Sequence, residues 1–363
     1  MELTTGSPSK VNMSESRLAL LDTRLEAAVE EQKVPGLVYL IMKSGIVVRH
    51  RALGFRQLVP ERHPMSVDTW FDLASLTKIV FSTLVMYYVE RGVISLSEPV
   101  SETIVELRGT DKEQITLWHL LTHTSGLPGE VQLFRYCRNR REVVDAIMKL
   151  PLLKAPGQWV EYSCLGFILL DECLSRKVGN WPEKMVDHIL APLGLKEICY
   201  NPKGVREFAA TEFCPWRDAV ICGQVHDENA YVMGGVSANA GLFGTARAVA
   251  AFGQSFLTSN STNERVLSPQ TIRAMSSNHT PKLNLARGLG WQGYTNLDSP
   301  GGDLMPRDSF GHTGFTGTSL WIDPHNEVVA VLFTNRIHTD RNNDHIFRLR
   351  SIFHNLIASS IVE

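Results

Sequence analysis

Two pairs of strand-like runs, one near each end of the chain, constrain the fold more than any other feature. LVYLIM (37–42) and IVVRHRALG (46–54) flank Lys43-Ser44-Gly45 and read as a hairpin. TSLWID (318–323) and EVVAVLFTN (327–335) flank Pro324-His325-Asn326 and read as a second strand pair. Helical periodicity over 14–33, with Leu18, Leu21, Leu25 and Val29 on one face, precedes the first pair. A helical stretch at about 343–360 follows the second. Strands at both ends of a long chain predict one antiparallel sheet, assembled from N- and C-terminal segments and flanked by helices. The middle is mostly helical and loopy, with no internal repeat or low-complexity tract. The expected class is α+β, an α/β sandwich: a sheet domain over 1–65 and 245–363, and an inserted, mostly helical domain over 66–244. A cleft is expected where the two meet.

A formal net charge of −2 over 363 residues gives no electrostatic case for nucleic acid or an anionic membrane. No tract of about 18 uncharged apolar residues is present, so no membrane span is expected. The N-terminal segment is polar and lacks the apolar core of a secretory signal, which reads as cytoplasmic. Six cysteines (137, 164, 173, 199, 214 and 222) form no C-x-x-C pair and read as free thiols. His119 and His123 are four apart in WHLLTH, but Leu120 stands where a zinc protease has its glutamate. Both read as structural, and no metal or cofactor is called for.

Three short motifs carry chemistry. FDLASLTKIVFSTLVMYYVERG (71–92) reads as a buried helix, yet its first turn holds Ser75 and Lys78. Residues i and i+3 share a helix face, so the amine can reach the hydroxyl. A lysine desolvated there, its pKa lowered, can help take the serine proton. A capping serine and a snorkelling lysine are the bland reading; Ser7 and Lys10 repeat the spacing in the polar tail and read as noise. Next, Tyr162 follows the turn Pro156-Gly157 and precedes a helical run, on a loop where nearby cations could make its phenol a base. Last, Phe310-Gly311-His312-Thr313-Gly314-Phe315-Thr316-Gly317 leads into the strand TSLWID. Its glycines let a ligand approach, His312 and Thr313 can offer donors to a carboxylate or carbonyl, and a strand-edge N–H can complete an oxyanion hole. Gly288-Leu289-Gly290-Trp291-Gln292-Gly293 fits a dinucleotide fingerprint in letters only, since no strand precedes it and no helix follows.

The order of the three motifs resembles the serine β-lactamase and penicillin-binding-protein superfamily, in its class C β-lactamase-like branch of esterases, D-aminopeptidases and DD-peptidases. WHLLTHTSGLP (118–128), APGQWVEYS (155–163) and VHDENAYVMGGVSANAGLFGTARAVAAF (225–252) are similar to that branch too. The resemblance runs over about 14–358 and implies a β-lactamase/transpeptidase-like fold. It implies Ser75 as acylated nucleophile, Lys78 as its proton partner and Tyr162 as general base. It also implies an oxyanion hole from the backbone N–H groups of Ser75 and Phe315, with His312, Thr313 and Gly314 lining the substrate site. His226, Asp227 and Asn229 fall in a loop that borders the cleft in some relatives, and are secondary binding candidates.

Two residues depart from the family pattern. Cys164 stands where an asparagine is usual, and a thiol is a weak donor and acceptor. His312 stands where lactamases and DD-peptidases usually have lysine, and it attracts a carboxylate less above about pH 6.5. Both changes tilt the expectation from anionic amides toward esters. The expected protein is a serine hydrolase that forms an acyl-enzyme at Ser75, a carboxylesterase acting on small molecules. A D-amino-acid peptidase or DD-carboxypeptidase, with weak β-lactam hydrolysis, is the second reading. An inactive ligand-binding scaffold is the third. Oligomeric state is left open.

Overall fold

The computed structural model describes residues 3–204, 207–257, 265–295 and 299–362. Its strands are β1 (Thr4–Thr5), β2 (Gly36–Lys43), β3 (Ile46–Gln57), β4 (His63–Pro64), β5 (Phe71–Asp72), β6 (Ile198–Tyr200), β7 (Phe213–Cys214), β8 (Ala219–Val220), β9 (Leu242–Gly244), β10 (Gln292–Gly293), β11 (Phe310–Thr313), β12 (Thr318–Asp323) and β13 (Val328–Thr334). An eight-stranded sheet runs β1-β3-β2-β13-β12-β11-β10, with β4 beside β3. It therefore joins the two ends of the chain, β2 pairing with β13 in the register Leu40↔Val331. One detail departs from expectation: β1 pairs with β3 in parallel, so the sheet is mixed rather than wholly antiparallel. Two residues (Thr4 and Thr5) are too short a run for periodicity to announce.

Alternation explains why this sheet is covered on both faces. From β2, Val38, Leu40 and Met42 join one core with Val329, Val331 and Phe333 of β13. Leu37, Tyr39 and Ile41 join the other with Val328, Ala330 and Leu332. Opposite faces of one strand thus serve two cores, as period-2 geometry requires. Each fully buried Leu, Val or Ile here contributes about 1.5–3 kcal/mol relative to exposure.

Helices α1 (Glu15–Glu30), α2 (Leu76–Glu90), α3 (Leu117–Leu121), α4 (Arg140–Lys149), α5 (Cys164–Val178), α6 (Trp181–Met185), α7 (Glu228–Val232), α8 (Ala246–Gln254), α9 (Pro269–Ser276) and α10 (His345–Ser360) complete the frame. Ser14 caps α1 by accepting from Arg17 N–H, and the Leu18, Leu21 and Leu25 stripe meets Ile346, Phe353 and Ile357 of α10 over one sheet face. On the other face α8 packs Val249 and Phe252, and α2, which also meets β11 and β12, adds Ile79, Val80 and Leu84 to the same core. Helix α2 is buried almost all round, including Ile79, Phe81, Leu84 and Val85. No helix among the described residues is long and apolar enough to cross a membrane. None of the six cysteines forms a disulfide among the described residues.

The start of α2 is pinned to the sheet. Thr316 and Thr318 donate their hydroxyl hydrogens to the carbonyls of Asp72 (2.8 Å) and Leu73 (3.1 Å). A Cβ on Gly314 would lie 2.1 Å from Thr318 Oγ1 and 2.8 Å from the Leu73 carbonyl, so only glycine fits. The dinucleotide-like motif has a packing explanation instead. Gly290 has φ +81°, and a Cβ there would meet Ser82 Oγ of α2 at 2.0 Å.

Candidate active site

Ser75 occupies the N-cap position of α2, but its side chain makes no capping bond. Lys78, one turn on and fully buried, donates to Ser75 Oγ at 3.0 Å instead. The same ammonium donates to the Asn239 carbonyl at 2.9 Å and lies 3.5 Å from Cys164 Sγ. A snorkelling lysine would send its head to water; this one points inward at the hydroxyl. Just before Ser75, Ala74 has φ +46°, a left-handed conformation that costs a residue with a Cβ about 1 kcal/mol or more. Asp72 holds it, accepting from Ala74 N–H at 2.8 Å.

Tyr162 is placed by its neighbours. Glu161 N–H donates to the His123 carbonyl (2.9 Å), and Ser163 N–H donates to His123 Nδ1 (3.0 Å). Ser163 then caps α5, accepting from Gly166 N–H and donating to the Pro128 carbonyl at 2.6 Å. Clamped on both sides, Tyr162 lies with its ring centroid 5.0 Å from Lys78 Nζ. Its buried hydroxyl has no well-formed hydrogen bond, yet Lys78 and Ser75 both act on its ionisation from close by. His119 accepts from Thr116 N–H through Nδ1 at 3.1 Å, so both histidines of WHLLTH have local structural duties.

Ionisation follows from burial and neighbours. Burial raises the Tyr162 phenol, with Lys78 pulling the other way. Burial likewise pushes the Cys164 thiol up against the pull of Lys78. For Lys78, burial alone opposes the ammonium, but Cys164, Tyr162 and Asp227 outweigh it and lift the pKa above the ordinary lysine range. The expected lowering is therefore corrected: the sequence showed a greasy helix but not the acidic groups brought to its head. Near neutral pH the pair is a phenol and an ammonium.

The β11–β12 edge closes the other wall. His312 is buried, and burial together with Arg287 and Lys78 holds its pKa well below the usual histidine value. Its Nδ1–H donates to the Thr313 carbonyl at 2.9 Å, leaving Nε2 as a buried, unpaired acceptor. This corrects the expectation that His312 offers a donor: a carbonyl can only accept, and that fixes the tautomer. Neither Ser75 N–H nor Phe315 N–H has a hydrogen-bond partner among the described residues.

The structure thus brings Ser75, Lys78, Tyr162 and Cys164 together with His312, Thr313, Gly314 and Phe315. Ser75, Tyr162 and residues 312–315 line a cleft of about 300 Å³, with Lys78 and Cys164 beneath it. His226, Asp227 and Asn229 do not line it. His226 stacks on Phe315 from behind, with ring centroids 5.5 Å apart. Asp227 caps α7 through Ala230 N–H and accepts from Asn239 Nδ2 at 3.2 Å. Asn229 bridges backbone groups of Phe134 and Val131. Sequence reasoning gave no role to Asp72 and Asn239, which lie inside the quoted stretches 71–92 and 225–252, or to Arg287 and Arg350. The position of Asp72, three before Ser75, and that of Asn239 in a family-like stretch were the signals.

A family model described as Beta-lactamase matches residues 21–352. A "Putative D-alanyl-D-alanine carboxypeptidase" of Salmonella agona (strain SL483) is 29% identical over 381 residues, covering 93% of this chain and 87% of that protein. A protein of the same description from Salmonella enteritidis PT4 is 30% identical over 382 residues, with the same coverage. Among solved structures, "EstCE1, a hydrolase with promiscuous acyltransferase activity" aligns with a TM-score of 0.74 at 18% identity, covering 94% of this chain and 99% of that one. A "class C beta lactamase" aligns at 0.75 and 16%, covering 94% and 98%. At such identities the structural likeness speaks for the fold alone.

Proposed function

Because the chain belongs to the beta-lactamase family and is a serine hydrolase, we propose that it works through an acyl-enzyme at Ser75 and that its substrates are carboxylic esters. The observation that carries this reading is the 3.0 Å contact between Lys78 Nζ and a serine hydroxyl that caps nothing and lines the cleft.

In the reactive form Tyr162 is a phenolate beside the Lys78 ammonium. The phenolate takes the Ser75 proton as Oγ attacks the ester carbonyl. The tetrahedral oxyanion is held by Ser75 N–H and Phe315 N–H, both unpaired among the described residues; one such donor is typically worth about 10²–10³ in rate. The bond from carbon to the departing oxygen breaks, and Tyr162 returns the proton to that oxygen as the alcohol leaves. Water then repeats the cycle with the same base and releases the acid, restoring Ser75.

Esters rank above amides because of Cys164. An asparagine here would offer the ammonium a strong acceptor and a substrate amide a donor; the thiol at 3.5 Å does neither well. A D-peptidase reading is supported by the description of the Salmonella relatives. Short-chain chromogenic esters, a chromogenic cephalosporin and a D-alanyl dipeptide, offered to wild type and Ser75→Ala, separate the two. Ester turnover lost in Ser75→Ala supports the leading reading. Dipeptide cleavage without ester turnover reverses the ranking, and binding without any turnover makes the protein a scaffold.

A further inference from the structure

A second cavity, of about 730 Å³, shares no lining residue with the catalytic cleft. Two exposed rings stand in its wall. Trp216, in the turn between β7 and β8, is 45% exposed, and Tyr231 of α7 is 40% exposed. Their centroids lie 5.8 Å apart at 88°, so indole and phenol form a right-angled corner. Neighbours hold this corner in place. Phe134 meets Trp216 at 5.0 Å, and the Arg217 guanidinium carbon lies 4.1 Å from the Tyr231 centroid. Arg217 in turn donates to the carbonyls of Val225 (2.6 Å) and His226 (2.9 Å).

The rest of the lining is polar and cationic. Arg138, Asn201, Lys203 and Gln224 contribute to it, and no acidic residue does among those described. Arg140 and Arg141 pair with Asp171 (2.8 Å) and Asp145 (3.0 Å), whereas Arg138 and Lys203 have no carboxylate partner among the described residues. Asn201, at φ +42°, donates from Nδ2 to the Gly234 carbonyl at 2.9 Å, which fixes its amide. A Cβ on Gly234 would meet nothing within 4 Å, so bare backbone is open to a ligand there. A ring that only pinned the hairpin against Phe134 would be covered by that contact. Trp216 instead keeps nearly half its surface open inside a concavity. Open aromatic faces hold flat rings by stacking, and unpaired guanidinium and ammonium groups take an anion.

We propose that this cavity is a second, non-catalytic site for a small ligand that joins a planar ring to one anionic group, a phosphate or a carboxylate. The ring stacks in the Trp216–Tyr231 corner, and the anion takes Arg138 and Lys203. An apolar chain would leave both cations unused, and a bare anion would leave both rings unused. The volume falls within the roughly 300–1,000 Å³ of pockets that enclose drug-sized molecules, so a mononucleotide is of suitable size. The site stands apart from acyl transfer at Ser75. It touches the catalytic region only through the chain itself, where Val225 of its wall precedes His226, the ring stacked on Phe315.

Calorimetry on the full chain with adenosine 5′-monophosphate, adenosine and ribose 5-phosphate tests both halves of the ligand. The nucleotide binds about tenfold or more tighter than adenosine, the worth of a charge-assisted hydrogen bond. It binds about fivefold or more tighter than ribose 5-phosphate, the worth of stacking one base. 2-Naphthoate and 2-naphthamide repeat the charge comparison with a carboxylate. Preference for the anion in either series, lost when Arg138→Gln and Lys203→Gln are combined, supports the site and names the anionic group. Both side chains are exposed, so this double variant tests the proposal even if Trp216→Leu, which should remove the contribution of the ring, loosens the hairpin. No preference in either series, or a preference untouched by the double variant, overturns the proposal. Ribose 5-phosphate binding as tightly as the nucleotide does so too. Ser75→Ala should bind the probes as wild type does; binding lost in that variant would put the ligand in the catalytic cleft and refute a second site.

Discussion

Asp72 Oδ1 accepts from Ala74 N–H at 2.8 Å, and the other oxygen of the same carboxyl accepts from His226 N–H at 2.6 Å. One buried side chain therefore holds the left-handed residue before Ser75 and ties that turn to the 226–229 loop. Asp72→Ala leaves two buried N–H groups unsatisfied, each worth about 1–3 kcal/mol. Denaturant unfolding is expected to show a loss of about 2–4 kcal/mol, with ester turnover falling further than that of a surface alanine variant. Unaltered stability would mean that the turn holds itself.

Tyr162 and Lys78 set the pH dependence of the reaction. Burial raises the phenol, and the ammonium is held above its ordinary range, so the reactive phenolate–ammonium form is scarce at neutral pH and grows as pH rises. Ser75-dependent kcat/KM should climb on the alkaline side, by about tenfold per pH unit until the phenol titrates. Tyr162→Phe should remove this limb and lower the rate about 10²- to 10⁴-fold. A flat profile between pH 7 and pH 9 contradicts the assignment.

Stability has its own pH dependence. His123, His226, His312 and His354 are buried with pKa values below the ordinary 6.5, pressed down first by burial; His226 falls to about 3 and His354 to about 4. Below pH 6.5 the unfolded chain binds protons that the folded one refuses. The stability these groups confer is present above pH 6.5 and lost as pH falls through the folded values, at up to about 1.4 kcal/mol per pH unit for each. Burial also raises five carboxyls, Asp72 to about 6 together with Glu130, Asp171, Glu212 and Asp227, which oppose this, while the lowered His50, His119 and His338 add to it. Urea midpoints are expected to drop between pH 7 and pH 5; a midpoint that holds or rises would show that these rings are solvated.

Cys164→Asn probes the departure from the family pattern. An amide in place of the Sγ that lies 3.5 Å from Lys78 gives the ammonium a full acceptor and the substrate a donor. Cephalosporin hydrolysis should rise about tenfold, the value of one hydrogen bond. No change would leave the thiol without a role in substrate choice.

Much of this was written locally in the sequence. The β2–β3 hairpin, the β12–β13 pair, α1 and α10 follow from periods and turns that a few neighbouring residues encode. Ser75, Lys78 and Tyr162 were legible because two share one helix turn and the third sits at a loop–helix junction with a recognisable order. What was not legible depends on distant segments meeting. The Lys78 shift arises from Cys164, Tyr162 and Asp227; the His312 tautomer depends on which carbonyl lies beside Nδ1; Arg287 and Arg350 become neighbours of Ser75 only through the fold. Charge balance in a cleft is a tertiary property.

The most direct test is intact-mass analysis, with peptide mapping, of a quenched reaction with an ester that deacylates slowly. The account predicts one acyl group on the peptide carrying Ser75, absent in Ser75→Ala and strongly reduced in Lys78→Ala. Full ester turnover by Ser75→Ala, or an acyl group carried on another residue, would contradict it.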